Sequence, residues 1–165
     1  SIIMFNKIFL SSDHGGFELK EKVKSFLMDN KLVYEDLGCY SLEPVDYPDY
    51  AKLLSKKLKE NNNSMGILFC GTGIGISMAA NRFQHIRAAL CTSVEMASKS
   101  RKHNDANVLA LGGRILEDKL ALEIVKEFLQ TDFEAGRHSL RVDKIKDLTI
   151  MVDKCFLKMV FLTKI

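Results

Sequence analysis

The chain has 165 residues, a net charge of +3, 47% apolar and 27% charged residues, and only two prolines. That is the composition of one soluble globular domain with a real core; it excludes a disordered chain, a membrane-spanning one and a protein whose overall charge would recruit nucleic acid. Residues 7–12 read as a first strand, and Asp13-His14-Gly15-Gly16 as the turn after it. Apolar positions Phe17, Leu19, Val23, Phe26 and Leu27 then predict a helix over 17–29. A second strand covers 32–37. Asp46-Tyr47 precede a helix whose first turn accommodates Pro48, with Tyr50, Ala51, Leu53, Leu54 and Leu58 inward. A third strand at 65–70 ends in Cys70 and runs into Gly71-Thr72-Gly73-Ile74-Gly75 and a helix to about residue 82.

Strands at 87–91 and 108–112 and helices at 94–103 and 117–129 complete the alternation. Strand and helix alternating five times predict parallel strands with right-handed crossovers. The expected fold is an α/β/α sandwich, a five-stranded parallel Rossmann-like sheet with helices on both faces, in a single domain spanning 1–165. Segment 137–165 repeats Leu140, Ile145, Leu148, Val152, Cys155/Phe156, Met159 and Leu162 at helical spacing. A helix of about 25 residues would run ~38 Å, so it is expected to contact another subunit. The cysteines at 39, 70, 91 and 155 form no C-x-x-C pair, which disfavours a zinc site and points to free thiols in a cytoplasmic setting.

Ligands of open parallel sheets bind beyond the carboxyl ends of the strands. Asp13, His14, Asp46, Tyr47, Cys70 and Arg114 fall there by position; His103 and Asn104 follow a helix and can reach the same region or a neighbour's, and Arg137, His138 and Arg141 open the last helix, so most of these polar residues are expected at or near one face. Cys70 ends a strand at a glycine loop and a helix start, a setting that favours thiolate for use as nucleophile or base. The loop lacks the Lys-Ser/Thr of a nucleotide P-loop and the spacing of a dinucleotide fingerprint. Ile76 stands where a cysteine phosphatase needs arginine. The N–H groups of 71–75 are therefore candidates for an oxyanion hole. Arg137 and Arg141, one turn apart, form a candidate phosphate clamp with His14 as a further donor. No residues show metal-ligand spacing in the sequence.

Five ordered segments carry a family resemblance: Ser12-Asp13-His14-Gly15-Gly16-Phe17, Asp46-Tyr47-Pro48, the Cys70–Ser77 loop, Ser100-Arg101-Lys102-His103-Asn104-Asp105-Ala106-Asn107, and Gly136-Arg137-His138 with Arg141-Val142. Together they resemble the ribose/galactose isomerase family, in its cysteine-containing type. The resemblance implies isomerisation of ribose 5-phosphate and ribulose 5-phosphate without metal or cofactor. It implies a homodimer, or a dimer of such dimers, with active sites shared between subunits. In these terms Cys70 moves a proton between C1 and C2, and the backbone of Gly71, Gly73, Ile74 and Gly75 steadies the enediolate. Asp13 and Thr72 orient hydroxyls. The partner subunit's His103, beside Asn104, assists ring opening. Arg137, Arg141 and His14 hold phosphate with help from Arg114, and Tyr47 and His138 line the pocket. The apolar tail beyond 150 exceeds the family's expected length and bears on the oligomer's geometry.

Two other readings differ in substrate or class. A six-carbon sugar 6-phosphate, such as allose or galactose 6-phosphate, would need a deeper pocket. A non-catalytic phosphometabolite or nucleotide module could use Glu35 and Asp36 on ribose, but the first turn lacks the dinucleotide fingerprint.

Overall fold

The structure, a computed structural model, describes residues 5–148. The strands are β1 (Lys7–Ser12), β2 (Tyr34–Asp36), β3 (Ser64–Cys70), β4 (Ala88–Leu90) and β5 (Val108–Gly112), all parallel in one sheet of order β2-β1-β3-β5-β4. The helices are α1 (Phe17–Asp29), α2 (Tyr47–Glu60), α3 (Ile74–Ala80), α4 (Val94–Lys102) and α5 (Asp118–Gln130). A 3-10 turn, Gly136–His138, then leads into α6 (Ser139–Lys146). The strand and helix alternation expected from the sequence is present throughout.

Period-two alternation divides the core. Ile8, Leu10, Met65, Ile67, Phe69, Leu109 and Leu111 face α1, α4 and α5, where Leu19, Val23, Ala97, Ile124 and Phe128 are buried. Phe9, Leu68, Cys70, Val108 and Ala110 face α2 and α3, against Ala51, Leu54, Ile76 and Ala80. Gly66 falls on the second face because Leu54 lies over it; a Cβ there would stand 2.5 Å from a Leu54 methyl. By the same alternation the Cys70 side chain points toward α3, not α1.

Of the long helix expected over 137–165, the described part is the 3-10 turn and the eight residues of α6. Asp147 N–H returns to the Asp143 carbonyl, and Leu148 N–H to that of Ile145. Val142 is buried, whereas Leu140, Ile145 and Leu148 are exposed on the single chain. The expected tail contacts of 149–165 lie outside the described residues.

Candidate active site

The chain adds β2 on one side of β1 and then returns to place β3 on the other, so the sheet reverses direction between β1 and β3. The crevice beyond the carboxyl ends at such a reversal is where open α/β sheets bind ligands. Asp13 and Cys70 stand at its two sides. Asp13 N–H donates to the Phe69 carbonyl (3.2 Å), and its buried carboxylate accepts the Gly16 N–H through Oδ1 (3.1 Å). Asp13 therefore also shapes the turn that opens α1. Glycine is required here for close approach: a Cβ on Gly16 would overlap Phe69, and one on Gly15 would press on the Gly71 backbone.

Cys70 is buried, and its Sγ accepts the Gly73 N–H at 3.1 Å. Gly73 has φ of 78°, and a Cβ there would lie 2.6 Å from Leu90 and 2.9 Å from the Leu111 backbone. Only glycine turns the loop back onto its own sulfur at this position. The Ile74 N–H goes to Thr72 Oγ1 (3.2 Å). Two of the five N–H groups expected to form an oxyanion hole thus serve the loop and the thiol. The other three are those of Gly71, Thr72 and Gly75, the last in the first turn of α3, where N–H groups have no intrahelical partner.

Three further residues expected at this edge are found there. Tyr47 lies over Gly75, with its Cζ 2.7 Å from where a Cβ would be. Arg114 N–H donates to the Gly71 carbonyl (2.9 Å), and its guanidinium lies over Gly71. His14 is held through Nδ1, 3.2 Å from both the N–H and the carbonyl of Val45.

The remaining candidates lie at the opposite edge, which corrects the expectation that most polar residues share one face and, of the two places expected for His103 and Asn104, leaves the neighbour's region. Helices that return between parallel strands run antiparallel to them, so α4 and α5 end beside the amino ends of the strands. His103 caps α4, and four residues later Asn107 ties the starts of three strands together. Its carbonyl accepts the Gly66 N–H (3.0 Å), its Oδ1 accepts the Arg87 N–H (2.7 Å), and its Nδ2 donates to the His85 carbonyl (2.8 Å). The seven residues of β3 make six steps of about 3.3 Å, roughly 20 Å between its two ends. His103, Asn104 and His138 thus belong to the far edge from Cys70 in the same chain. Arg137 and Arg141 flank His138 in the 3-10 turn and α6.

At that far edge the His103 and His138 rings stack, 4.2 Å between centroids and 14° between planes. The Glu134 N–H donates to the Lys102 carbonyl (3.1 Å), and its carboxylate lies 3.9 Å from His138 Nε2. Burial first, then the charges of His103, Arg137 and Arg141, hold the His138 imidazolium below the ordinary histidine range, against the pull of Glu134. The ligand atoms of His103, Glu134 and His138 lie within 4.8 Å of one another, a grouping that 31 residues of separation conceal in the sequence. Nearly parallel rings send their in-plane lone pairs side by side rather than to one point, and two arginines add positive charge. The donor set fits a cation poorly.

Hollows of about 460 and 600 Å³ lie on the α3–β4 flank. The first is lined by Phe83, Arg87, Asn104, Ile145 and Leu148 among others, the second by Leu53, Lys56, Phe83 and His85 among others, and neither includes Cys70 or its loop. Among the described residues, no helix is long and apolar enough to cross a membrane.

The pattern of the family described as Ribose/Galactose Isomerase matches residues 8–145. A probable ribose-5-phosphate isomerase B from Mycoplasma pneumoniae is 50% identical over 143 residues, 86% of this chain and 94% of its own length. The ribose-5-phosphate isomerase B of Escherichia coli K12 is 43% identical, covering 84% of this chain and 93% of its own. The crystal structure of a ribose 5-phosphate isomerase from Thermotoga maritima superposes with a TM-score of 0.84 at 51% identity, over 86% of this chain and 98% of that one. A crystal structure from Mycoplasma genitalium with bound ribulose-5-phosphate has a TM-score of 0.81 at 43% identity, over 85% and 93% of the two chains. With the motifs, the sheet order and these matches in agreement, the chain belongs to the ribose/galactose isomerase family.

Proposed function

We propose that the protein interconverts D-ribose 5-phosphate and D-ribulose 5-phosphate, with Cys70 as the proton-transferring group. The observation that carries this reading is a thiol at the sheet's reversal point, its sulfur already accepting one loop N–H, in a chain similar to a structure that holds ribulose-5-phosphate. Cys70 takes the proton from C2 of the open-chain aldose. The resulting enediolate carries its negative charge toward the N–H groups of 71, 72 and 75; the proton returns from the thiol to C1 as the O2 hydroxyl proton passes to O1 and the C2 carbonyl forms. Asp13 and Thr72 orient substrate hydroxyls.

One chain separates Cys70 from His103, Asn104, Arg137, His138 and Arg141 by about the length of the strands, roughly 20 Å. We therefore infer a homodimer that sets the Cys70 edge of one protomer against the far edge of its partner. In this arrangement the partner subunit's His103 serves ring opening. The partner subunit's Arg137 and Arg141, with His14 and Arg114, hold the phosphate. Cys39, Cys70 and Cys91 are free thiols, which suits the reducing cytoplasm.

Purified protein is expected to form ribulose 5-phosphate from ribose 5-phosphate at an undiminished rate in EDTA. Cys70→Ala is expected to lose roughly 10²–10⁴-fold in kcat, the usual contribution of a positioned base. Full activity of that variant would remove Cys70 from the chemistry. A kcat/KM higher on a six-carbon 6-phosphate would move the substrate assignment and leave the mechanism.

A further inference from the structure

We propose that Arg101 is a positioning residue that sets the two loops of the far edge against each other, and through them the His103–His138 pair. The proposal rests on the isomerase reading for its kinetic consequences, but not for its structural ones.

Arg101 is 5% exposed, though it sits on α4 only two residues before His103. Its Nε donates to the Thr131 carbonyl (3.0 Å), at the exit of α5 where the chain turns toward Glu134, Arg137 and His138. Its Nη1 donates to the Ala106 carbonyl (2.5 Å) and to Asp105 Oδ1 (3.2 Å), in the loop that leaves His103 and Asn104. The guanidinium carbon lies 5.8 Å from the ring centroids of both Phe5 and Phe128, which seal it from water. Asp105 in turn accepts from Arg87 Nη2 (3.2 Å), so the loop is held from both sides. One planar fork therefore joins the loop carrying the ring-opening histidine to the loop carrying the phosphate-binding groups. A lysine would supply the charge but could not reach both loops in fixed directions. Asp105, at φ of 48°, stands in a backbone conformation that asparagine tolerates well, so its carboxylate can be removed without straining the loop.

The groups facing His138 are His103 from the α4 end, Glu134 from the preceding loop, Arg137 beside it and Arg141 from α6. Loosening the fork should part the rings, let water reach His138 and return its titration toward the ordinary value.

The test compares wild type, Arg101→Lys, Asp105→Asn and a core-cavity control, Val23→Ala, which lies on α1 in the buried sheet face. Three quantities are read: histidine ring titrations by NMR on the free proteins, steady-state kinetics, and the rate of Cys70 alkylation by iodoacetamide. Arg101→Lys should move the His138 titration up toward about 6.5, lower kcat/KM tenfold or more, and leave Cys70 alkylation unchanged. Asp105→Asn should give a smaller shift in the same direction, and it carries the test if Arg101→Lys does not fold. Val23→Ala should lower the melting temperature without moving the His138 titration. Wild-type titration and kcat/KM in Arg101→Lys would overturn the proposal, as would an equal shift in Val23→Ala; if Arg101→Lys does not fold, an unshifted His138 in Asp105→Asn would do so. A wild-type protein without isomerase turnover would end the isomerase reading, while the histidine titrations would still decide the role of Arg101.

Discussion

The two edges of the sheet are built by different means. At the carboxyl edge, backbone does most of the shaping. Gly15, Gly16 and Gly73 permit contacts that a Cβ would block, and the thiol is held by an N–H of its own loop. At the amino edge, side chains do it. The Arg101 guanidinium, Asp105 and Asn107 fix the loop, and two imidazoles stack at its rim. On the proposed reading, each edge supplies only part of a site. A glycine loop can present a base and N–H donors but brings little positive charge. A rim of histidines and arginines offers positive charge and imidazoles but no thiol beside a row of loop N–H groups.

That division gives the largest expected effect. Cys70→Ala and His103→Ala should each be nearly inactive alone. If sites are shared across a two-fold axis, a mixed dimer holds one site with both lesions and one with neither. Random co-assembly of equal amounts should then restore roughly a quarter of wild-type activity, as half the dimers are mixed and each has one intact site of two. Co-expression with two different tags and purification of the mixed species would read this directly. Recovery no better than the parents' sum would place each complete site within one chain and break the comparison.

A second effect concerns stability at the carboxyl edge. Lys20 is fully buried, with its Nζ 2.7 and 2.6 Å from the two carboxylate oxygens of Asp36 at the end of β2. Gly38 N–H donates to Asp36 Oδ1, and Lys24 Nζ reaches Oδ2. The rings of Phe17 and Tyr40 flank the Lys20 ammonium at 5.4 and 5.6 Å. Breaking this pair from one side leaves the buried ammonium with Glu21 Oε1 as its remaining carboxylate, 3.2 Å away on a partly exposed side chain. Asp36→Asn should therefore cost about 3–5 kcal/mol by denaturant unfolding, and loosen the 37–46 chain that anchors His14. The His103–His138 stack should keep its wild-type ring shifts. A loss below about 1 kcal/mol, the level of an exposed pair, would mean that Glu21 alone suffices to hold the Lys20 charge.

Much of this was legible in the sequence, for identifiable reasons. Strands β1, β3 and β5 are buried on both faces, so their apolar runs stand out, and the 3.6-residue stripes of α1, α2 and α5 set their limits within a residue or two. Cys70, Asp13, Tyr47 and Arg114 could be placed because each follows a strand or precedes a helix at a turn. His103, Asn104, Arg137 and His138 could not be placed so simply. Their motif follows helices, and a helix that returns between parallel strands ends at the opposite edge; counting elements in the alternation would have supplied that signal. The His103–His138 stack and the Arg101 bridge join loops some 30 residues apart, which no local pattern encodes. Nor does periodicity reveal that Gly73 and Ile74 N–H groups are occupied within the loop, because that follows from a single left-handed residue.

The smallest expected effect separates the two edges by pH. Burial would raise the Asp36 carboxyl, but hydrogen bonds from Lys20, Gly38 and Lys24 hold it below the usual carboxylate value. A lowered carboxylate contributes stability that is complete above about 3.9 and is lost as the pH falls through its native value. His138 is lowered as well, by burial and then by His103, Arg137 and Arg141. The unfolded chain therefore binds more protons than the folded one below about 6.5, and stability falls with pH through that window. Both signs are the same, but the windows differ. On acidification from pH 7.5, amide signals of 101–107 and 131–138 should shift or broaden first, below about 6.5. Those of 12–16 and 36–46 should hold until below about 3.9. His138→Gln should remove the first transition and leave the second. Simultaneous loss of both sets in the wild-type protein would show that the edges are coupled through the sheet and do not soften independently.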